Sequence, residues 1–454
     1  IVILNDNEMS ISKNVGALAR YLSSMRSSEG YVRTKKAVER RLNRTAVIGP
    51  SVAKVIKNSK SVVRDVLLQS ATIFEDFGFV YLGPVDGHNL GDLEEALLAA
   101  KEYHRPVFLH VHTVKGKGYA PAEENPGEYH GISKFDIETG NPEVSGTDSY
   151  SDVFGKELVR LAEEDSRICA VTAAMEHGTG LHHFARKFPN RYYDVGIAEQ
   201  HAVTFSAGLA SMGELPVFAV YSSFLQRAYD QMIHDVCLGS LPVIFTVDRS
   251  GIVGNDGETH QGIFDLSFLS TMPGMTVISP MDGAELTEVL DFALGQMDGP
   301  VAVRYPRGKA YCCEKEEREP IVYAKAELLY EGKDVLILAV GNMVSKACEV
   351  RKKLAVQGIH PTIVNMRFVK PFDEDLVREL AISHRLIVTM EDNVYTGGFS
   401  EQIQAFLLRE RIYHKCLSVC FPDQFIEHGT PEELYEKYGL DAASVSNRIV
   451  RKIN

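Results

Sequence analysis

One acidic residue stands at the start of a predicted helix that offers it few polar neighbours. The stretch "IAEQHAVTFSAGLASMG", residues 197–213, is small or apolar almost all round, and a helix of this kind is usually buried. A buried carboxylate is costly unless a partner binds it. Glu199 is therefore expected to meet a specific partner. The alternative is a first-turn glutamate that complements the helix dipole.

A polar loop follows one of the predicted strands. The segment "VDRSGIVGNDGETHQG", residues 247–262, continues the apolar run "VIFTV" and holds Arg249, Asp256 and His260 among several glycines. In open parallel sheets, ligands bind beyond the carboxyl ends of the strands. A polar loop carried by a rigid sheet is a frequent place for binding and catalysis. These three residues are therefore candidates for a site.

Oxygen-bearing side chains cluster near the start of the chain. The segment "ILNDNEMS" places Asn5, Asp6, Asn7 and Ser10 at the end of a predicted strand. Magnesium prefers hard oxygen ligands and usually keeps substrate phosphates among them. The cluster is compatible with a magnesium site, and a simple polar turn is the alternative.

Cationic residues stand at two further strand ends. In "TVKGKGYAPAEENPGEYHG", Lys115 and Lys117 lie in a glycine-containing loop, with His130 downstream. In "VRYPRG", Arg304 and Arg307 follow another strand. Arginine at such a position binds phosphate through two parallel hydrogen bonds. A surface ion pair is the alternative for either arginine.

Apolar strands alternate with helical patterns along the chain, which predicts an α/β fold of mainly parallel sheets covered by helices. A linker rich in Gly, Ser, Thr and Pro spans 138–151, and a charged stretch spans 312–320. They separate three predicted domains, at 1–147, 148–315 and 322–454. The first four residues are expected to form a buried parallel strand.

Composition narrows the class of protein. The chain has 454 residues, of which 45% are hydrophobic, and a net charge of −13. That charge argues against a general nucleic-acid binder, and no apolar run is long enough to span a membrane. The seven cysteines show no paired CxxC spacing, which is typical of a reducing compartment. We expect a cytoplasmic protein that binds neither nucleic acid nor membrane.

One segment departs from this pattern. Residues 33–64 hold ten lysines and arginines and a single acid, Glu39. An anion-binding lid or a nucleic-acid patch is one interpretation. The segment lacks the interleaved aromatic residues on which bases stack. We favour a solvated, mobile excursion from the first domain, over about residues 26–70.

Seven segments, in this order, resemble the signature of the 1-deoxy-D-xylulose-5-phosphate synthases, a transketolase-like family that depends on thiamine diphosphate. They are "ILNDNEMSIS", "GPVDGHN", "TVKGKGYAPAE", "DVGIAEQHAV", "YSSFLQRAYDQ", "DRSGIVGNDGETHQGIFDL" and "RYPRG". The resemblance covers essentially the whole chain and implies a transketolase-like thiamine-diphosphate-binding fold. It implies condensation of pyruvate with D-glyceraldehyde 3-phosphate, with loss of CO2, by a homodimer. The product, 1-deoxy-D-xylulose 5-phosphate, opens the non-mevalonate isoprenoid pathway and feeds thiamine and pyridoxal synthesis.

The resemblance also assigns cofactor contacts. A carboxyl group bonded to N1′ of the aminopyrimidine favours the imino tautomer, whose nitrogen removes the thiazolium C2 proton; Glu199 matches that position. Phe224 matches an aromatic residue that stacks on the same ring. Asn7 and the backbone carbonyl of Met9 match Mg2+ ligands. Asn7 also matches a contact with the cofactor, as do Lys115 and Tyr119.

Substrate contacts follow from the same resemblance. His130, Asp256 and His260 match polar groups around the reacting carbon, where they orient pyruvate or move protons. Tyr221, Arg249 and Arg307 match the site that holds the aldehyde substrate and its phosphate. A doubly negative substrate on a chain of charge −13 needs such a local cluster of cations.

Two features of the family are missing from the sequence. The Gly-Asp-Gly motif that supplies the first magnesium carboxylate should precede "IVILNDN", and an N-terminal histidine is also absent. We therefore expect the chain to be a fragment of the family enzyme with an incomplete metal site. Two alternatives stay open: another two-carbon transferase, such as a transketolase or a 2-oxoacid dehydrogenase component, and a non-catalytic thiamine-fold protein retained for binding or regulation.

Overall fold

A computed structural model describes residues 1–9, 17, 21–22, 73–132, 134–141, 148–254, 256–311 and 318–453. The chain forms two compact units, Ile1–Glu143 and Val144–Asn454. Both contain largely parallel sheets flanked by helices, which confirms the predicted fold class. The basic segment 33–64 lies outside the described residues. The three predicted domain boundaries stay predictions.

The first unit contains a three-stranded parallel sheet in the order β1-β3-β2. Asn89 caps the helix that connects β2 to β3, because its side-chain oxygen accepts hydrogen bonds from the backbone N–H groups of Gly91 and Asp92. The described strands and α-helices are β1 (Val2–Asp6), α1 (Ile73–Asp76), β2 (Val80–Asp86), α2 (Leu90–Lys101), β3 (Val107–His112) and α3 (Ala120–Glu124), and a short 3-10 helix follows at Glu128–His130.

The expected buried strand at the start of the chain is parallel but not buried. Strand β1 pairs with β3 on one side and with no other described strand. Ile1, Val2 and Ile3 are about half exposed, at 60%, 48% and 53%. The prediction of burial is wrong for the described residues, because it assumed neighbours on both edges and both faces of this strand.

The second unit holds a seven-stranded sheet in the order β13-β8-β9-β7-β6-β4-β5, parallel except for β13. Its strands are β4 (Ile168–Thr172), β5 (Tyr192–Asp194), β6 (Leu215–Tyr221), β7 (Ile244–Asp248), β8 (Thr276–Ile278), β9 (Val301–Arg304) and β13 (Phe368–Lys370). The helices around it are α4 (Tyr150–Glu164), α5 (His182–Lys187), α6 (Glu199–Ser211), α7 (Ser222–Leu225), α8 (Tyr229–Gln231), α9 (Asp265–Ser270) and α10 (Gly283–Gln296).

A five-stranded sheet follows in the order β10-β12-β11-β14-β15, parallel except for β10. Its strands are β10 (Glu327–Tyr330), β11 (Val335–Ala339), β12 (Thr362–Asn365), β14 (Leu386–Val394) and β15 (Lys415–Phe421). Its helices are α11 (Met343–Ala355), α12 (Glu374–Ser383), α13 (Phe399–Arg409), α14 (Pro431–Tyr438) and α15 (Ala442–Ile453). Among the described residues, no helix combines the length and apolarity that crossing a bilayer requires.

Buried ion pairs join these two sheets. Arg304, at the end of β9, is 2% exposed. Its Nε lies 3.1 Å from Oδ2 of Asp265, and its Nη2 lies 3.1 Å from Oδ1 of Asp392 on β14. Arg304 was a candidate phosphate ligand from its position in the sequence, with a surface ion pair as the alternative. Both interpretations are wrong, because the guanidinium is buried between two carboxylates.

A second buried arginine repeats the arrangement. Arg367 lies 2.8 Å from Glu285 on α10 and 2.5 Å from Glu327 on β10. Asn365 also donates to Glu285. Arg367 thus has an opposite charge on both sides where water is excluded, and its Nη2 donates a hydrogen bond to Glu327, which helps a buried ion to be tolerated.

Removing Arg304 should therefore be strongly destabilising. Arg304→Ala leaves two buried carboxylates without their cation, and we expect a loss of about 3–5 kcal/mol in the free energy of unfolding. Arg385→Ala is the matched control, since Arg385 faces Asp334 at 3.7 Å on the surface, where an ion pair contributes about 0–1 kcal/mol. Denaturant unfolding of both variants measures the difference. Equal losses would contradict the role given to Arg304.

Candidate active site

The turn that precedes α6 places Glu199. Oδ1 of Asp194, at the end of β5, accepts hydrogen bonds from the backbone N–H of Ala174 at 2.8 Å and of Gly196 at 2.9 Å. Gly196 has φ +76°, a conformation that glycine adopts at little cost. The chain thus turns sharply between β5 and α6, and α6 begins at Glu199.

Glu199 is buried, as the sequence predicted, at 2% exposure. The helix that carries it is not buried all round, and in this respect the expectation is wrong. Its exposed face includes His201, Thr204 and Gly208, whereas Ala202 and Ser206 face the core. Small residues occur on both faces, so the hydrophobic pattern alone does not distinguish them.

The carboxylate of Glu199 is incompletely partnered. Nε of Arg227 lies 3.3 Å from its Oε2, but Oε2 forms no hydrogen bond with any described residue. The side chain of Arg227 is 53% exposed. A buried acceptor without a donor costs free energy, so this atom is suited to accept a hydrogen bond from a ligand. The helix N-terminus also favours negative charge at this position.

The loop after β7 is closed at its neck. Gly251 and Gly262 exchange backbone hydrogen bonds of 2.7 Å in both directions, and the side chain of Gln261 accepts from the backbone N–H of Val253. A Cβ on Gly251 would lie 1.7 Å from Oδ2 of Asp392. The loop is therefore pressed against β14 and admits only glycine at that point.

Four predicted site residues form one chain of contacts, from Arg249 through Tyr221 and Phe224 to His260. Tyr221 ends β6, and the guanidinium carbon of Arg249 lies 3.7 Å from its ring centroid. The ring of Phe224 lies 5.4 Å from Tyr221 and 5.3 Å from His260. Burial raises the pKa of Tyr221 to about 12, so the phenol stays neutral. The hydroxyl of Tyr221 lies so close to Gly178 that no side chain fits there, since a Cβ would lie 1.7 Å from the hydroxyl oxygen.

Arg307 and Asp256 form an ion pair that the sequence did not predict. Nη1 of Arg307 lies 2.7 Å from Oδ2 of Asp256 and also donates to the carbonyl of Val253 at 3.2 Å. Sequence reasoning gave these two side chains separate roles, at the reacting carbon and at the phosphate. The structure brings them together, so a change at either affects the other.

One residue of this site escaped the sequence analysis. Asp248, the last residue of β7, is completely buried. Its Oδ2 accepts a 2.6 Å hydrogen bond from the hydroxyl of Ser151, whereas Oδ1 has no partner among the described residues. Burial raises the pKa of Asp248 to about 6, against the opposing positive charges of Arg249 and Arg307. Its position directly before Arg249 was the available signal.

In the first unit, Asp6, the acid of the predicted oxygen cluster, contacts a buried histidine of the same unit. Oδ2 of Asp6 lies 2.9 Å from Nε2 of the buried His110, and Nδ1 of His110 lies 2.8 Å from the hydroxyl of Tyr81. This chain of contacts links the three strands, from the end of β1 through the middle of β3 to the start of β2. Asn5 is similarly engaged, since its side chain accepts from Thr113 at 2.6 Å.

The predicted magnesium ligands form a tight turn after β1. Oδ1 of Asn7 accepts from the backbone N–H of Met9 at 3.1 Å, and Glu8 between them has φ +64°. Side-chain and backbone oxygens are the donor type that Mg2+ prefers. Ser10, the fourth member of the predicted cluster, lies outside the described residues.

The loop after β3 brings Lys115 and His130 close enough to interact. Burial lowers the pKa of His130, and the positive charge of Lys115 lowers it further. Burial also lowers the pKa of Lys115. Tyr119 packs against Tyr129 at 5.7 Å, and its hydroxyl donates to the carbonyl of Ile137. Their contacts with a cofactor or substrate stay predictions.

The raised pKa of Asp248 makes stability depend on pH. The folded state keeps a proton up to about pH 6, whereas the unfolded chain releases it near pH 3.8. This stabilisation is present below the unfolded pKa and is lost as pH rises to about 6. Asp248→Asn does not titrate, so wild type should lose about 3 kcal/mol relative to the variant over that window.

Thermal midpoints of the wild type and Asp248→Asn, measured from acid to neutral pH, test this prediction. Asp298→Asn removes a charge from an exposed aspartate and serves as the control. A difference between wild type and Asp248→Asn that does not change with pH would contradict the assignment.

The fold and the site define an enzyme of the transketolase class. Family models for the transketolase pyrimidine-binding domain and C-terminal domain match residues 147–311 and 324–445. A split-gene transketolase, solved as an inactive β4 tetramer, superposes with TM-score 0.61 and 31% identity over 67% of this chain and 98% of its own. Transketolase from Campylobacter jejuni superposes with TM-score 0.57 over 85% of this chain and 70% of its own, at 21% identity, which shows the fold alone.

A more specific match identifies the family. The model for 1-deoxy-D-xylulose-5-phosphate synthase matches residues 1–113. The synthase of Caldanaerobacter subterraneus subsp. tengcongensis is 50% identical, and that of Lachnoclostridium phytofermentans 47% identical, each across 100% of this chain and 72% of the relative. The chain therefore belongs to the 1-deoxy-D-xylulose-5-phosphate synthase family. The resemblance inferred from the seven sequence segments is confirmed.

Proposed function

We propose that the protein carrying this sequence condenses pyruvate with D-glyceraldehyde 3-phosphate, with loss of CO2, to form 1-deoxy-D-xylulose 5-phosphate. Membership of the family supports the reaction. The single structural observation that carries the proposal is the buried carboxylate of Glu199, whose Oε2 lacks a hydrogen-bond donor at the first turn of α6.

The described residues fit thiamine diphosphate as the cofactor. Oε2 of Glu199 is a buried acceptor suited to a protonated ring nitrogen, and it would hold the proton at N1′ of the pyrimidine. Phe224 is half-buried and presents an aromatic ring for stacking. When bound, thiamine diphosphate supplies the electron sink that decarboxylation requires. The protein positions the cofactor and excludes water around the carboxylate.

Magnesium is part of the same proposal. The side-chain oxygen of Asn7 and the carbonyl of Met9 lie in one turn and are donors of the kind that bind this ion. Lys115 and Tyr119 are proposed to contact the cofactor. The expectations of a homodimer and of a cytoplasmic location stay predictions.

The cationic groups of the second unit suit a phosphorylated aldehyde. Arg249 and Arg307 both act electrostatically on Tyr221 and Asp248, although 58 positions separate them in the sequence. Of the guanidinium nitrogens of Arg307, Nη1 alone donates a hydrogen bond to a described residue. The other nitrogens are proposed to bind phosphate oxygens. Asp256 and His260 would orient pyruvate or move protons around the reacting carbon, and a role of the same kind is proposed separately for His130 of the first unit.

Glu199→Gln should retain the fold and lose most turnover, because the amide does not favour the required pyrimidine tautomer. We expect a decrease of ~10²–10⁴-fold, the range of general acid–base effects. C2 hydrogen–deuterium exchange of bound cofactor, followed by NMR, measures the affected step directly. Exchange at the wild-type rate would reject the proposed role.

Glu432→Gln is the matched control for this variant. Glu432 also lies in the first turn of a helix, α14, but it is exposed. If Glu199 only complements the helix dipole, both variants should change stability by a similar amount and leave turnover intact. A selective loss in Glu199→Gln separates the two interpretations.

Arg307→Ala should weaken binding of glyceraldehyde 3-phosphate much more than binding of pyruvate. A charged hydrogen bond to phosphate contributes ~1.5–3 kcal/mol, which corresponds to a roughly 10- to 150-fold higher KM for the aldehyde. Steady-state assays that vary each substrate measure both constants, and Arg385→Ala is the surface control. An equal loss for pyruvate would show that Arg307 supports the loop through Asp256 instead. Ketose donors in the same assay distinguish the synthase from a transketolase.

A further inference from the structure

A cluster of histidines in the second unit has no part in the site described above. His182 and His183 begin α5, and Asp152 lies in the first turn of α4. One potential ligand atom from each of these three residues lies within 4.8 Å of the other two. The rings of His182 and His183 are 4.0 Å apart, and His177 stacks on His182 at 5.4 Å.

The carboxylate of this cluster is held in place by a helix cap. Oδ2 of Asp152 accepts hydrogen bonds from the backbone N–H of Ser149 at 3.1 Å and from its hydroxyl at 2.7 Å. Oδ1 faces Nε2 of His183 at 3.6 Å, which is too long for a hydrogen bond. One oxygen thus fixes the orientation of the side chain, and the other is directed at the histidines.

The two histidines offer buried nitrogens without donors or acceptors. Nδ1 of His182 and Nε2 of His183 are buried and form no hydrogen bond with the described residues. Burial, together with the neighbouring His183 and His177, lowers the pKa of His182 to about 4. A neutral imidazole is the form that binds a metal ion through its ring nitrogen.

We propose that Asp152, His182 and His183 form a site for a divalent cation of borderline softness, with Zn2+ as its representative. Two imidazoles and one carboxylate are a frequent zinc ligand set, which leaves a fourth position for water. Magnesium prefers oxygen ligands throughout, so this site takes a different class of ion from the proposed Asn7 and Met9 site. A cation bound by Nδ1 of His182 and Nε2 of His183 would satisfy both unpartnered nitrogens, which otherwise cost free energy.

Metal titration of the metal-free protein tests the proposal. Zn2+ is titrated in competition with a chromophoric chelator, and Co2+ is titrated separately because its visible absorption reports tetrahedral nitrogen and oxygen ligation. We expect one equivalent of either ion to bind at this site. His182→Asn and His183→Asn should each lower the affinity for that ion by roughly 10- to 100-fold or more, since even the loss of a residue that only supports a ligand has this effect.

His360→Asn is the matched control, because His360 is exposed and lies far along the chain, in the connection between α11 and β12. Zn2+ should raise the thermal midpoint of wild type and His360→Asn, but not that of the double variant His182→Asn/His183→Asn. Comparison of the metal-free midpoints shows whether the histidine variants fold. If the double variant does not fold, His183→Asn alone is used, since its side chain is partly exposed.

Three results would overturn the proposal. They are an unchanged Co2+ spectrum in the folded histidine variants, an unchanged Zn2+ affinity in those variants, and full displacement of Zn2+ by excess Mg2+. The first two would assign the metal to other residues, and the cluster would then be three packed imidazoles. The third would show a site without preference for nitrogen ligands.

Discussion

The buried guanidinium of Arg304 between Asp265 and Asp392 is the contact on which the second unit depends. It joins the end of β9 to helix α9 and to strand β14 of the other sheet. Charges excluded from water are tolerated only when their partners and hydrogen bonds are complete. The ion pairs of Arg304 therefore form in only one relative position of the two sheets. That position also fixes where the neighbouring residues lie.

Both carboxylates also support parts of the candidate site. Oδ2 of Asp265 accepts a hydrogen bond from Ser222, the first residue of the helix that carries Phe224. Asp392 closes against Gly251 at the neck of the polar loop. The helix that carries Phe224 and the loop that carries His260 thus both contact the carboxylates that bind Arg304. Rigid support of this kind is what a site needs to hold side chains within a fraction of an ångström.

Buried charge is treated differently within the candidate site. Arg304 and Arg367 each face two carboxylates, whereas Glu199 and Asp248 each keep one oxygen without a hydrogen-bond donor. Unsatisfied buried groups are rare in folded proteins and concentrate where a ligand completes them or where chemistry needs them. Oε2 of Glu199 and Oδ1 of Asp248 are therefore the acid oxygens of the candidate site that are available to a ligand.

Local pattern in the sequence determined the alternation of strands and helices, the polar loops at strand ends, the burial of Glu199 and the family. These features depend on periodicity and on residues close together in the chain. Only the tertiary structure placed β13 on the seven-stranded sheet, buried Arg304, paired Arg307 with Asp256, and assembled Asp152 with the histidines of α5. Each of these depends on contacts between distant segments, and whether a charged side chain meets solvent, a partner or an ion is decided by those contacts rather than by its neighbours in sequence.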